Sequence, residues 1–173
     1  QNSHHKSNKN KTIVMQKENI QEEIIMELLE KLGTILTLLA GALAALLPGI
    51  GSAKAVGKVG EAAAGVLTED PGKFGKLLIL QALPGTQGIY GLLTWFMVMQ
   101  FSGLFSGQSD LSWQTGLSYL MAVLPIAIVG YFSAVYQGRV AESGVSLVAK
   151  RSEEQSKALV MAAASAEDAR PLC

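Results

Sequence analysis

Residues 77–138 contain a single charged side chain, Asp110, in 62 positions. The other 27 charges fall within 1–31, 54–76 and 139–173. A soluble domain must cover its surface with polar and charged groups, so a stretch this bare selects an integral membrane protein. Three charge-free runs result: residues 32–53, 77–109 and 111–138, of 22, 33 and 28 residues. A bilayer core of about 30 Å is crossed by roughly 20 apolar helical residues, so each run is long enough to span. The 14 basic and 14 acidic residues balance and form no basic face, which argues against a nucleic-acid partner. Cys173 is the one cysteine, which excludes an internal disulfide framework or a cysteine-rich metal site. At 173 residues there is room for a small helical bundle and none for a separate catalytic domain.

Charge placement also orients the spans. Lys54, Lys58, Lys73 and Lys76 flank a polar turn at Thr68-Glu69-Asp70-Pro71-Gly72, and Arg139, Lys150, Arg151 and Lys157 flank a second. The connection at 102–112 carries only Asp110. By the positive-inside rule the two basic-flanked turns face the cytoplasm and Asp110 faces outside. The first and third helices then run past the bilayer, towards Val66 and Ala149. Residues 1–25 read as a polar leader without regular structure or upstream of the native start. If residues 19–31 belong to the protein, Ile20, Ile24, Ile25, Leu28 and Leu32 would share a helical face, which either rests on the membrane surface or lengthens the first span. After Lys157, residues 158–166 are uncharged, but nine helical residues cover only about 14 Å. The fold expected is an all-α membrane protein of two tandem transmembrane helical hairpins, 26–109 and 110–173, with three complete spans and an incomplete fourth.

The halves are related by an internal repeat. At an offset of 81, Ser52-Ala53 aligns with Ser133-Ala134, Gly57-Lys58-Val59 with Gly138-Arg139-Val140, Glu61 with Glu142 and Lys76 with Lys157. Leu47-Pro48 matches Leu124-Pro125 after a four-residue shift. Small residues recur along one face of the first helix (Gly41, Ala45, Gly49, Ala53, Gly57) and of the third (Ser118, Ala122, Gly130, Ala134, Gly138, with Ile126 interrupting). Such stripes let helix backbones approach closely in lipid. They serve either a tight bundle within one chain or the inner wall of a homo-oligomeric ring, which stripes on both odd-numbered helices suit better.

Polar groups inside the spans are few: Gln81, the run Leu83-Pro84-Gly85-Thr86-Gln87-Gly88, and Gln137. A mid-helix proline removes one backbone hydrogen bond and frees a carbonyl. That carbonyl, the Thr86 hydroxyl and the Gln87 and Gln137 amides are hard oxygen donors suited to a small cation. The alternative is a plain kink with interhelical hydrogen bonds. Coupling ions to a potential also needs a titratable group at depth. Glu167 is the candidate, since at the repeat offset it falls opposite Thr86.

These motifs carry a family resemblance. Gly49-Ile50-Gly51-Ser52-Ala53-Lys54-Ala55-Val56-Gly57, Gly60-Glu61-Ala62-Ala63-Ala64 and Leu83-Pro84-Gly85-Thr86-Gln87-Gly88-Ile89-Tyr90-Gly91 resemble the membrane-rotor proteolipid of V-type ATPases, in its four-helix bacterial form. Leu124-Pro125-Ile126-Ala127 and Gln137-Gly138-Arg139-Val140-Ala141 continue the likeness. The resemblance implies a bacterial plasma-membrane ring, turning against a membrane stator subunit and attached to a central-stalk subunit. It implies no prosthetic cofactor, no catalysis by the chain itself, and one Na⁺ or H⁺ carried by each copy. The implied ligands are the Leu83 carbonyl, Thr86, Gln87, Gln137 and a fourth-helix glutamate. The motif around Glu167 departs from the family pattern, with Glu167 one residue late counted from Lys157, so the end reads as truncated or frame-shifted. The competing expectation is a structural membrane bundle that transports nothing.

Overall fold

The computed structural model describes residues 2–108 and 110–165. Its first helix, α1, runs Asn2–Glu69. It takes in the polar leader, where no regular structure was expected. No glycine or proline precedes Gly33, so nothing interrupts a helix once it has formed. Residues 15–28 are exposed throughout, including Ile20, Ile24, Ile25 and Leu28. In this exposed stretch Lys31 pairs with Glu27 at 2.7 Å. The hydrogen bond and then the charge of each hold the Glu27 carboxyl below its usual range and the Lys31 amine above its own.

The chain turns where the sequence offers its first proline after the membrane run. The Asp70 carboxylate accepts from the Gly72 N–H at 3.1 Å and caps a 3-10 turn over Pro71–Lys73. The return path consists of α2 (Phe74–Ala82), a 3-10 turn at Leu83–Gly85, and α3 (Thr86–Phe101). Proline lacks an N–H and its ring displaces the preceding carbonyl, so the break falls at Pro84. The far connection contains Gly103 and Gly107 at φ of 76° and 80°, a left-handed conformation that glycine adopts without strain. Ser112 then caps α4 (Trp113–Lys150), accepting from the Thr115 N–H at 3.3 Å. α5 (Gln155–Ala164) completes the described chain with 10 residues.

α1 and α4 form the most extensive helix pair, followed by α1 and α3. They lie parallel and in register, with Gly116 against Gly33, Gly130 against Pro48, Ala134 against Gly51 and Gly138 against Ala55. These partners differ by 82 or 83 positions, close to the repeat offset. The contact is backbone-close: a Cβ at Gly138 would lie 2.6 Å from the Ala55 Cβ. Gly130, Ala134 and Gly138 are therefore buried within the chain. Their counterparts on α1 are disposed differently. Gly41 faces Trp95 and Met99 of α3, whereas Gly49 and Gly57 have nothing within 4 Å of an added Cβ, and Ala53 is exposed.

Two apolar clusters flank the middle of the bundle. Val59, Ala63, Leu77, Leu80, Ala141, Val145, Val148, Ala158 and Ala162 join α1, α2, α4 and α5 near the basic turns. Ala40, Ala44, Val98, Met99 and Val123 form the other. At the basic end the Lys73 amine donates to the Ala149 carbonyl at 2.9 Å, and Lys76 donates to the Ser152 carbonyl and hydroxyl, each at 3.0 Å. Lys73 of the first turn thus satisfies an acceptor at the end of α4, and Lys76 of α2 one in the turn that follows it. α1 and α4 are each long and apolar enough to cross a membrane. Ile24, Leu38, Leu92, Phe96, Ile128 and Phe132 are among many large apolar side chains on the outside, which suits lipid and not water.

Candidate ion-binding site

The break at Pro84 lies between the two apolar clusters and turns a run of oxygens towards α4. In the 3-10 turn the Leu83 carbonyl accepts both the Thr86 N–H and the Thr86 hydroxyl, the latter at 3.0 Å. The Thr86 hydroxyl also lies 3.2 Å from Gln87 Oε1. Gln87 Nε2 donates across the bundle to Gln137 Oε1 at 2.9 Å and to Ser133 Oγ at 3.3 Å. Gln87, Ser133 and Gln137 are all buried, and Ser133 and Gln137 sit one turn apart on α4.

These groups line an open-sided cavity of about 480 Å³. Its wall is Leu83, Thr86, Gln87 and Tyr90 from the break and α3, Ile126, Val129, Gly130, Ser133 and Gln137 from α4, and Ala163 from α5. Leu83, Thr86, Gln87 and Gln137 bring neutral hard oxygens to one cavity wall, the kind that holds a small cation. Among the described residues lining it there is no carboxylate.

Four of the five expected ion-binding residues thus come together: Leu83, Thr86, Gln87 and Gln137. The fifth, Glu167, lies outside the described residues. Gln81 lies against Gly60 of α1 and does not line the cavity. Ser133 and Tyr90 were not anticipated here. Ser133 had a visible signal, being a hydroxyl repeated at Ser52 in an otherwise apolar register.

The all-helical bundle, its apolar exterior and the oxygens gathered at a helix break describe a helical membrane protein. The chain belongs to the C-subunit family of ATP synthases, which matches residues 39–98 and 120–166. The two matched segments begin 81 residues apart, the offset of the repeat. The chain is 47% identical over 131 residues to the V-type sodium ATPase subunit K of Enterococcus hirae, covering 76% of this chain and 81% of that protein. It is 36% identical over 126 residues to the A-type ATP synthase subunit K of Methanocaldococcus jannaschii, covering 73% of this chain but only 53% of that relative. It is accordingly a non-catalytic rotor proteolipid of the V-type ATPase kind, and a bundle that transports nothing is disfavoured.

Proposed function

We propose that this chain carries Na⁺ across the membrane as one of the identical subunits of a rotor ring. The observation that supports this reading is the convergence of Leu83, Thr86, Gln87 and Gln137 on one cavity at a helix break. The Enterococcus relative is a sodium ATPase subunit by name, which supports sodium over protons. Neutral oxygens alone do not compensate a cation in a membrane, so a carboxylate is required. The repeat register assigns it to Glu167.

In this mechanism the occupied site is neutral overall and passes through lipid at low cost. An empty, negatively charged site costs several kcal/mol there, on the order of insertion scales. Rotation through lipid then proceeds only with loaded sites, and exchange is confined to the stator. The ring reading is supported by the open stripe of Gly49, Ala53 and Gly57 on α1, which a neighbouring copy would cover. Three complete spans fit the helical lengths, the second made of α2 and α3 together. The two basic-flanked turns are assigned to the cytoplasmic side, towards the central stalk. In a bacterial host the location is the plasma membrane.

The test is the sodium dependence of ATP hydrolysis by the intact complex bearing Gln87→Ala or Gln137→Ala. A large rise in the sodium concentration for half-maximal activity is expected. Unchanged sodium dependence in both variants sinks the ligand assignment.

A further inference from the structure

Ser52 and Ser133 occupy equivalent positions in the repeat, and both reach adjacent residues of the broken helix. From α1, Ser52 Oγ accepts the Gly88 backbone N–H at 2.8 Å. From α4, Ser133 Oγ accepts from Gln87 Nε2 at 3.3 Å. Both serines are buried, at 6% and 5% exposure. A hydroxyl beside apolar helices carries a desolvation cost unless it is bonded, so each partner is consequential. The approach on the α1 side also depends on Gly88. A Cβ there would lie 3.2 Å from Ser52 Oγ and 3.3 Å from its Cβ.

We propose that this repeat-related serine pair positions the ion site, with Ser52 fixing the Gln87–Gly88 backbone and Ser133 fixing the Gln87 amide. A glutamine amide has two N–H donors and one carbonyl oxygen. Ser133 takes one donor and Gln137 Oε1 takes the other. With Gln137 presenting its oxygen as it does, reversing the Gln87 amide would press its oxygen against Gln137 Oε1, acceptor against acceptor. The pair of acceptors therefore holds Gln87 Oε1 on the side of Thr86 and Leu83, where the other donors are. Ser52 is absent from the cavity wall. Its effect passes through the main chain, which sets where the side chain of Gln87 starts. One ancestral hydroxyl thus acts twice, once on backbone and once on side chain, because the break occurs between α1 and α4.

This inference rests on the reading of the cavity as a sodium site, and its test separates the two. In the intact ATPase complex, Ser133→Ala and Ser52→Ala should each raise the sodium concentration for half-maximal activity roughly 3- to 10-fold, the worth of one hydrogen bond. The maximal rate should stay within about twofold, since the ligands remain. Equilibrium binding of radioactive sodium to the purified complex should show the same shift. Ser133→Thr, which keeps the hydroxyl, should recover most of it. If Ser52→Ala does not assemble, Ser52→Cys is read in its place, expected to weaken sodium binding in an assembled complex. Should both serine variants bind sodium normally while Gln87→Ala does not, the positioning role is wrong and the site stands. A loss of thermal stability with unchanged sodium affinity also overturns it. If Gln87→Ala too is without effect, the sodium site itself fails, and this proposal with it.

Discussion

Gln87 of α3 donates its side-chain amide to Gln137 of α4 at 2.9 Å, so the halves of the repeat are tied together at the oxygen cluster itself. Replacing Gln137 with alanine leaves a buried N–H without its acceptor, which costs about 1–3 kcal/mol. Gln137→Ala should therefore lower thermal stability by a few degrees and raise the sodium requirement more than tenfold. Calorimetry of the purified protein and sodium titration of the complex check the two arms.

The small-residue stripes make opposite predictions on α1 and α4. Gly138→Leu drives a side chain into Ala55 and should destabilise the chain by about 2 kcal/mol or more. An added Cβ at Gly49 meets nothing within 4 Å, so Gly49→Leu should leave the isolated chain folded. It should instead abolish the oligomer, read as particle mass in mild detergent. A Gly49→Leu protein that still assembles would remove the ring interface from this face.

Pro84 stands at the break where the Leu83 carbonyl accepts the Thr86 N–H and hydroxyl. Pro84→Ala restores an N–H and permits a regular α-helix through the turn. Stability should hold or rise, while sodium affinity falls as the Leu83–Thr86 arrangement is lost. Sodium binding and thermal unfolding measured on the same preparation test that divergence.

Lys76 of α2 reaches the carbonyl and hydroxyl of Ser152 and fastens α2 to the turn that follows α4. Lys76→Met keeps the apolar stem and removes both bonds, at about 1 kcal/mol. Amide exchange at the end of α4 should quicken, while the cavity and its sodium affinity are unaffected. Exchange rates unchanged from wild type would show that the cap contributes nothing.

Much of the architecture was legible because charge cannot be hidden in a membrane. Lys31, Lys54, Lys76, Asp110 and Arg139 bracket the apolar runs, and α1 and α4 follow them. The oxygen cluster was legible because proline, threonine and glutamine stand out among Leu, Ile and Ala. What escaped was pairing across helices. Ser133 stood out only as the repeat counterpart of Ser52, and only the fold shows that it faces Gln87. The leader offered little to read: polar residues without periodicity carry no packing signal, and nothing in residues 2–32 breaks a helix.

The α1–α4 contact has a mechanical consequence. Where Gly130, Ala134 and Gly138 meet Pro48, Gly51 and Ala55, the touching atoms belong to the backbone or lie one or two bonds from it. No long side chain intervenes whose torsions could absorb a displacement. A sideways load at the basic turns passes from one main chain to the other with little slack. The seam is stiff for that reason, and through it the α4 side of the oxygen cluster is held directly to α1.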